Sequence, residues 1–167
     1  MASYRHLARI AVMQTIFEYE FLDKFVESEK EKDDPCLKLK YNIKQLSGKI
    51  KDISFAEETL KGVIKHRKDI FDIITENAPE WPLDKIAPVD RAILEIGVYE
   101  VVYADDIPPV VAINEAIEIA KSYGDTNSPK FINGVLSTVM TKHTSINKSA
   151  DKTANKSGDK PADKSTN

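Results

Sequence analysis

Pro88-Val89-Asp90-Arg91-Ala92-Ile93-Leu94-Glu95-Ile96-Gly97-Val98-Tyr99-Glu100-Val101-Val102 is the stretch that decides the fold. Proline suits the first position of a helix, because its missing N–H would be unpaired there anyway. Ala92, Ile93, Leu94, Ile96, Val98, Tyr99, Val101 and Val102 then cover most of the helix circumference. A helix that is apolar nearly all round is buried, so this segment predicts the central helix. The rest of the chain has to supply elements that surround it.

Downstream, residues 105–109 break the helix and residues 110–123 predict another, with Val110, Ile113, Ala116, Ile117 and Ala120 inward and Gly124 at its end. Ser128-Pro129 pairs a cap residue with a first-turn proline. That predicts a last helix to about residue 142 on Phe131, Ile132, Val135, Leu136, Val139 and Met140. Upstream, residues 84–86 predict a short helical turn. Residues 69–77 predict a helix ended by Pro79 and Pro82. Ser54 with Glu57 has the spacing of a capping box ahead of Phe55, Leu60, Val63 and Ile64. Residues 37–46 predict a weaker helix after the Asp33-Asp34-Pro35 loop. Residues 3–22 predict a first helix, capped by Ser3, on Leu7, Ile10, Ala11, Gln14, Phe17 and Phe21. No strand pattern emerges. The fold class is all-α, with about six or seven helices in residues 1–144.

Residues 145–167 differ in kind. Lys148, Lys152, Lys156, Lys160 and Lys164 recur every four residues, with Ile146 as the one large apolar side chain. Like charges at that spacing repel along a helix face, and the composition predicts a disordered tail. The tail holds five lysines against three aspartates, which leaves a net of −5 for the preceding 144 residues. A nucleic-acid-binding domain usually carries a basic surface. RNA binding by this domain would therefore need a local patch, or a partner that brings positive charge.

Catalysis finds little to stand on. Cys36 is the single cysteine, so no internal disulfide is possible, and no base lies near it in sequence. His6, His66 and His143 lack metal-site spacing, so no metal and no cofactor is expected. Glu57/Glu58 and Glu115/Glu118 read as carboxylates on solvated helix faces. No apolar run reaches the roughly 20 residues a membrane span needs. The N-terminus lacks a signal-peptide pattern, so a cytoplasmic protein is expected. Asn114, and Asn133-Gly134 inside the last helix, stand out as polar or flexible residues in packed segments. They mark either tight helix packing or a surface that a partner approaches. Phe17 and Phe131 are core candidates by spacing. With Arg5, Arg9 and Lys130 near them in sequence, they also read as base-stacking platforms beside phosphate-binding cations.

Several segments, in order, resemble the NusB family of transcription antitermination proteins. They are Trp81-Pro82-Leu83-Asp84-Lys85-Ile86, then Pro88-Val89-Asp90-Arg91-Ala92-Ile93-Leu94, then Gly97-Val98-Tyr99-Glu100. Ile107-Pro108, Val111-Ala112-Ile113-Asn114-Glu115-Ala116, Ala120-Lys121 with Gly124, and Ser128-Pro129-Lys130-Phe131-Ile132-Asn133-Gly134-Val135-Leu136 continue it. Arg9 and Gln14-Thr15-Ile16-Phe17 add an N-terminal part. The resemblance implies two packed helical bundles, no catalysis, and binding to boxA-type single-stranded RNA of nascent ribosomal RNA transcripts. It implies NusE, a small-subunit ribosomal protein, as partner, with RNA polymerase and other Nus factors in the assembly. It allows a homodimer.

By resemblance, RNA contacts fall to Arg5, His6, Arg9, Phe17, Lys130 and Phe131, and partner contacts to Asp90, Glu95 and Tyr99. The chain departs from the family in its thin N-terminal run of cations and in Phe17, where a tyrosine is usual. A helical interaction module with little RNA binding of its own is the rival reading. An RNA-modifying enzyme is disfavoured, since the chain lacks the length and any strand–Gly-rich-loop pattern for a methyl donor.

Overall fold

A computed structural model describes residues 3–25, 34–46 and 53–154, with side chains for 3–21, 34–46 and 53–144. Among them the chain forms seven α-helices and one 3-10 turn, with no strand. The helices are α1 (Tyr4–Phe25), α2 (Pro35–Gln45), α3 (Ser54–Lys65), α4 (Arg67–Asn77), α5 (Pro88–Val102), α6 (Pro109–Tyr123) and α7 (Ser128–Ala154). The 3-10 turn Leu83–Lys85 links α4 to α5.

Helix α5 is central, as its composition predicts. It packs on α1, α3, α4, α6 and α7, and Ala92, Ile93, Leu94, Ile96, Val98 and Val101 are all buried. Helices α1, α2 and α3 pack together on one side, and α4, α6 and α7 gather on the other. Each fully buried Leu or Ile contributes about 1.5–3 kcal/mol relative to exposure. The pairing of α5 with α7 is close enough that a Cβ on Gly97 would lie 2.6 Å from Leu136. The phenol of Tyr99 likewise fills the space where a Cβ on Gly62 would point.

Local signals set most boundaries. Ser3 Oγ accepts the His6 N–H, capping α1. Asp34 Oδ1 accepts the Cys36 N–H, and Pro35 takes the first position of α2, which therefore starts two residues before the predicted point. The Ser54–Glu57 capping box does not set the start of α3. Ser54 is already helical, and the cap position falls on Ile53, whose side chain makes no cap bond. Gly124 ends α6 with φ −88° and ψ −172°, an extended conformation open to any residue. Glycine is required there because a Cβ would collide with Ser128.

Helix α7 continues through Ala154, beyond the predicted end. No Gly or Pro follows Gly134 before Gly158 and Pro161, so nothing breaks the backbone ladder earlier. Residues 155–167 of the predicted tail lie outside the described residues. No helix among the described residues is long and apolar enough to cross a membrane.

Candidate nucleic-acid and partner interface

Helix α1 is buried on more of its circumference than its spacing predicts. Ala8, Arg9, Ile10, Ala11, Val12, Met13, Thr15, Ile16 and Glu20 are buried. Phe17 sits half-buried at the border of that face and stacks on Phe21, with ring centroids 6.4 Å apart. Phe21, a predicted core residue, is 54% exposed.

Basic side chains near the N-terminus meet carboxylates from α5 and α6. His6 Nδ1 lies 2.7 Å from Glu115 Oε2. Arg9 Nε donates to Glu100 Oε1 at 2.8 Å and to Oε2 at 3.1 Å. Arg5 and Arg9 both lie over the Phe55 ring, at 4.9 and 5.0 Å from its centroid. Arg5 is exposed, but Arg9 is only 3% exposed. Arg9 is therefore a structural residue in this fold, a correction to its place among the phosphate-binding candidates. Its charge is needed beneath the surface, where burial pushes Glu100 above the usual carboxylate range and the Arg9 charge and hydrogen bonds oppose that rise.

A second buried cluster joins α1, α4 and α5. Glu20 accepts from Arg67 at 2.8 Å and from Arg91 at 2.7 and 3.0 Å. Burial works to raise Glu20, but hydrogen bonds from Glu95, Arg91 and Arg67 outweigh it and hold Glu20 below its ordinary value. Burial, then the hydrogen bond and charge of Glu20, push Glu95 well above the carboxylate range. Burial beside the Glu20 carboxylate thus disfavours the charged form of Glu95. At 1% exposure it touches no partner surface, which corrects its assignment there.

Asp90 is also enclosed. Ser128 Oγ donates to Asp90 Oδ2 at 2.9 Å, and the Asp125 N–H donates to Ser128 Oγ at 2.9 Å. Burial raises the Asp90 carboxyl, and the Ser128 hydrogen bond opposes it. Asp90 thereby fixes the start of α7 rather than presenting a charge to a partner. Ser128, predicted as a cap, is the first residue of α7 instead, and the first helical bond runs from the Phe131 N–H to Asn127 O. Tyr99 is half-buried and stacks on Tyr103, centroids 6.4 Å apart.

The first turn of α7 opens outward. Lys130 is exposed, and half-buried Phe131 meets Trp81 edge-on, at 6.2 Å and 64°. The two border a groove of about 720 Å³ with the α4–α5 connection. Gly134 lines it, and a Cβ there would meet nothing within 4 Å. Close helix packing is thus not what Gly134 serves, and Asn133 and Asn114 are exposed rather than packed. The candidates divide between two helices: Arg5, His6 and Phe17 on α1, and Lys130 and Phe131 on α7. Trp81, Phe55, Glu100 and Glu115 are the neighbours that residue spacing alone did not single out. A large aromatic between Glu80 and Pro82, outside any helix, was the available signal for Trp81. Among the described residues no group of three His, Cys, Asp or Glu could hold a metal ion.

Residues 6–141 match the model of the NusB family. The transcription antitermination protein NusB of Bacillus subtilis strain 168 is 37% identical over 141 residues, which cover 81% of this chain and 93% of that protein. The protein of the same name from Bacillus velezensis is 51% identical over 88 residues, 53% of this chain and 68% of its own length. The solved structure of T. maritima NusB superposes with a TM-score of 0.67 at 32% identity, covering 86% of this chain and 94% of that one. A complex of antitermination factors NusB and NusE with double-stranded RNA contains a chain of the same fold. Its TM-score is 0.70 at 23% identity, over 85% of this chain and 99% of that one. With the family model spanning most of the helical domain and the signature segments surrounding the buried α5, the chain belongs to the NusB family.

Proposed function

We propose that this protein is a transcription antitermination factor that binds boxA-type RNA of nascent ribosomal transcripts jointly with NusE, within the Nus assembly on RNA polymerase. Family membership across residues 6–141 carries the reading. The similar fold solved with NusE and RNA supports the partner and the ligand class. The protein acts by binding rather than by catalysis, and in the cytoplasm, where nascent bacterial transcripts are.

Arg5 holds phosphates beside α1, His6 contacts the RNA next to it, and Phe17 offers a ring for stacking. Lys130 and Phe131 do the same on α7. Stacking on an aromatic ring contributes about 1–3 kcal/mol per base. Arg9 acts from below by holding Glu100. NusE binds along the second group of helices near the start of α5 and Tyr99, with Asp90 shaping the turn behind.

The combined variant Phe17→Ala, Lys130→Ala tests the assignment. RNA affinity should fall at least tenfold while NusE binding, read by calorimetry, stays intact. Unchanged RNA affinity would favour the rival reading, a helical interaction module that leaves RNA to other proteins.

A further inference from the structure

We infer that the groove between Trp81 and the start of α7 is a nucleobase pocket. In it, one unpaired RNA base stacks on the indole of Trp81 while Lys85 and Lys130 hold the flanking phosphates. The inference rests on the RNA-binding reading above and adds a site to it.

Four observations carry it. Trp81 is 52% exposed, unusual for so large an apolar side chain, and it meets Phe131 at 64° rather than face to face. The groove, about 720 Å³, lies within the range of roughly 300–1,000 Å³ usual for small-ligand sites. Gly134 lies bare along it: glycine inside a helix costs about 1 kcal/mol relative to alanine, and no neighbour here needs the space. Gly97, where Leu136 does need it, shows the contrast. A bare backbone allows a flat ligand to approach closely.

The polar lining sets the orientation. Glu80, Asp90 and Asp125 bring carboxylates to the groove, and Lys85 and Lys130 bring its cations. Carboxylates turn a phosphate away, so the base goes inward and the phosphates stay at the two lysines.

Trp81 is the only tryptophan in the chain, so its emission reports on this groove alone. The full-length protein is titrated with a labelled boxA-type RNA at low salt, alone and with NusE, reading tryptophan emission and RNA anisotropy together. The pocket predicts saturable quenching in the protein alone, with the same midpoint as the anisotropy change. Trp81→Ala should weaken binding about five- to a hundredfold, the loss of one stacked base, and Trp81→Phe should retain most of it. Gly134→Leu, which fills the groove without removing Trp81, should also weaken binding, with circular dichroism confirming that each variant is folded. Anisotropy binding with unchanged emission, and with Trp81→Ala equal to the parent, overturns the pocket while leaving RNA binding intact. Quenching by NusE that RNA does not add to would assign the groove to the protein partner and overturn it too. No anisotropy change even with NusE overturns the RNA reading itself, and the pocket with it.

Discussion

At Arg9 the guanidinium lies over Phe55 and donates to Glu100, out of reach of solvent. Removing one member of a buried ion pair strands the other, at about 3–5 kcal/mol. Arg9→Met should therefore lower the melting temperature sharply, and a melting temperature near that of the parent would show the pair to be dispensable. Glu95 gives a pH signature. Its carboxyl titrates higher in the folded than in the unfolded chain, so its favourable contribution is complete below the ordinary glutamate value of 4.5 and is lost as pH rises through the folded value. Glu95→Gln cannot ionise, so its stability relative to the parent should rise as pH climbs above 4.5. A flat difference in denaturant unfolding between pH 4 and pH 9 would contradict the raised titration of Glu95. Glu20 has the opposite sense and is the group whose contribution fades on acidification. None of this was legible in sequence. Arg9 and Glu95 occupy positions that helical spacing marks as polar, and only the crossing of α1, α4, α5 and α6 shows that their charges face one another.

Helix by helix, the hydrophobic period located nearly every element, because an apolar face has one place to go in a compact bundle. The apolar circumference of α5 foretold its central position. Register at the caps was less legible, since a cap depends on backbone angles at a single residue: Ile53 rather than Ser54 opens α3, and α7 begins at Ser128 rather than after it. The two mid-helix glycines separate local cost from packing need. Gly97→Ala drives a methyl into Leu136 and should cost about 1–3 kcal/mol. Gly134→Ala meets nothing and should stabilise the fold by up to about 1 kcal/mol. Thermal unfolding of the two variants checks both signs, and a destabilised Gly134→Ala would mean that α7 needs that glycine for its own packing. Sequence alone offered both roles for Gly134 without choosing, because proximity between helices is not written in either one.

The molecule as a whole carries −5 over its first 144 residues, and two of its N-terminal basic residues, His6 and Arg9, already face carboxylates. Each phosphate contact on a single strand contributes about −0.7 to the slope of log affinity against log salt. Few free cations therefore mean weak binding with a shallow slope for the protein alone. The family signature was legible because its segments recur in order through α5, α6 and α7. The division of the RNA-binding candidates between the first and last helices was legible too; the burial of Arg9 against Phe55 and Glu100 was not, since it follows from how the helices meet.

Joint binding by this protein and NusE is the central claim, and boxA-RNA affinity at two salt concentrations, with and without NusE, tests it most directly. NusE should tighten binding at least about tenfold, equivalent to roughly 1.4 kcal/mol, and steepen the salt slope as it brings its own phosphate contacts. Equal affinity and equal slope with and without NusE would contradict the joint site.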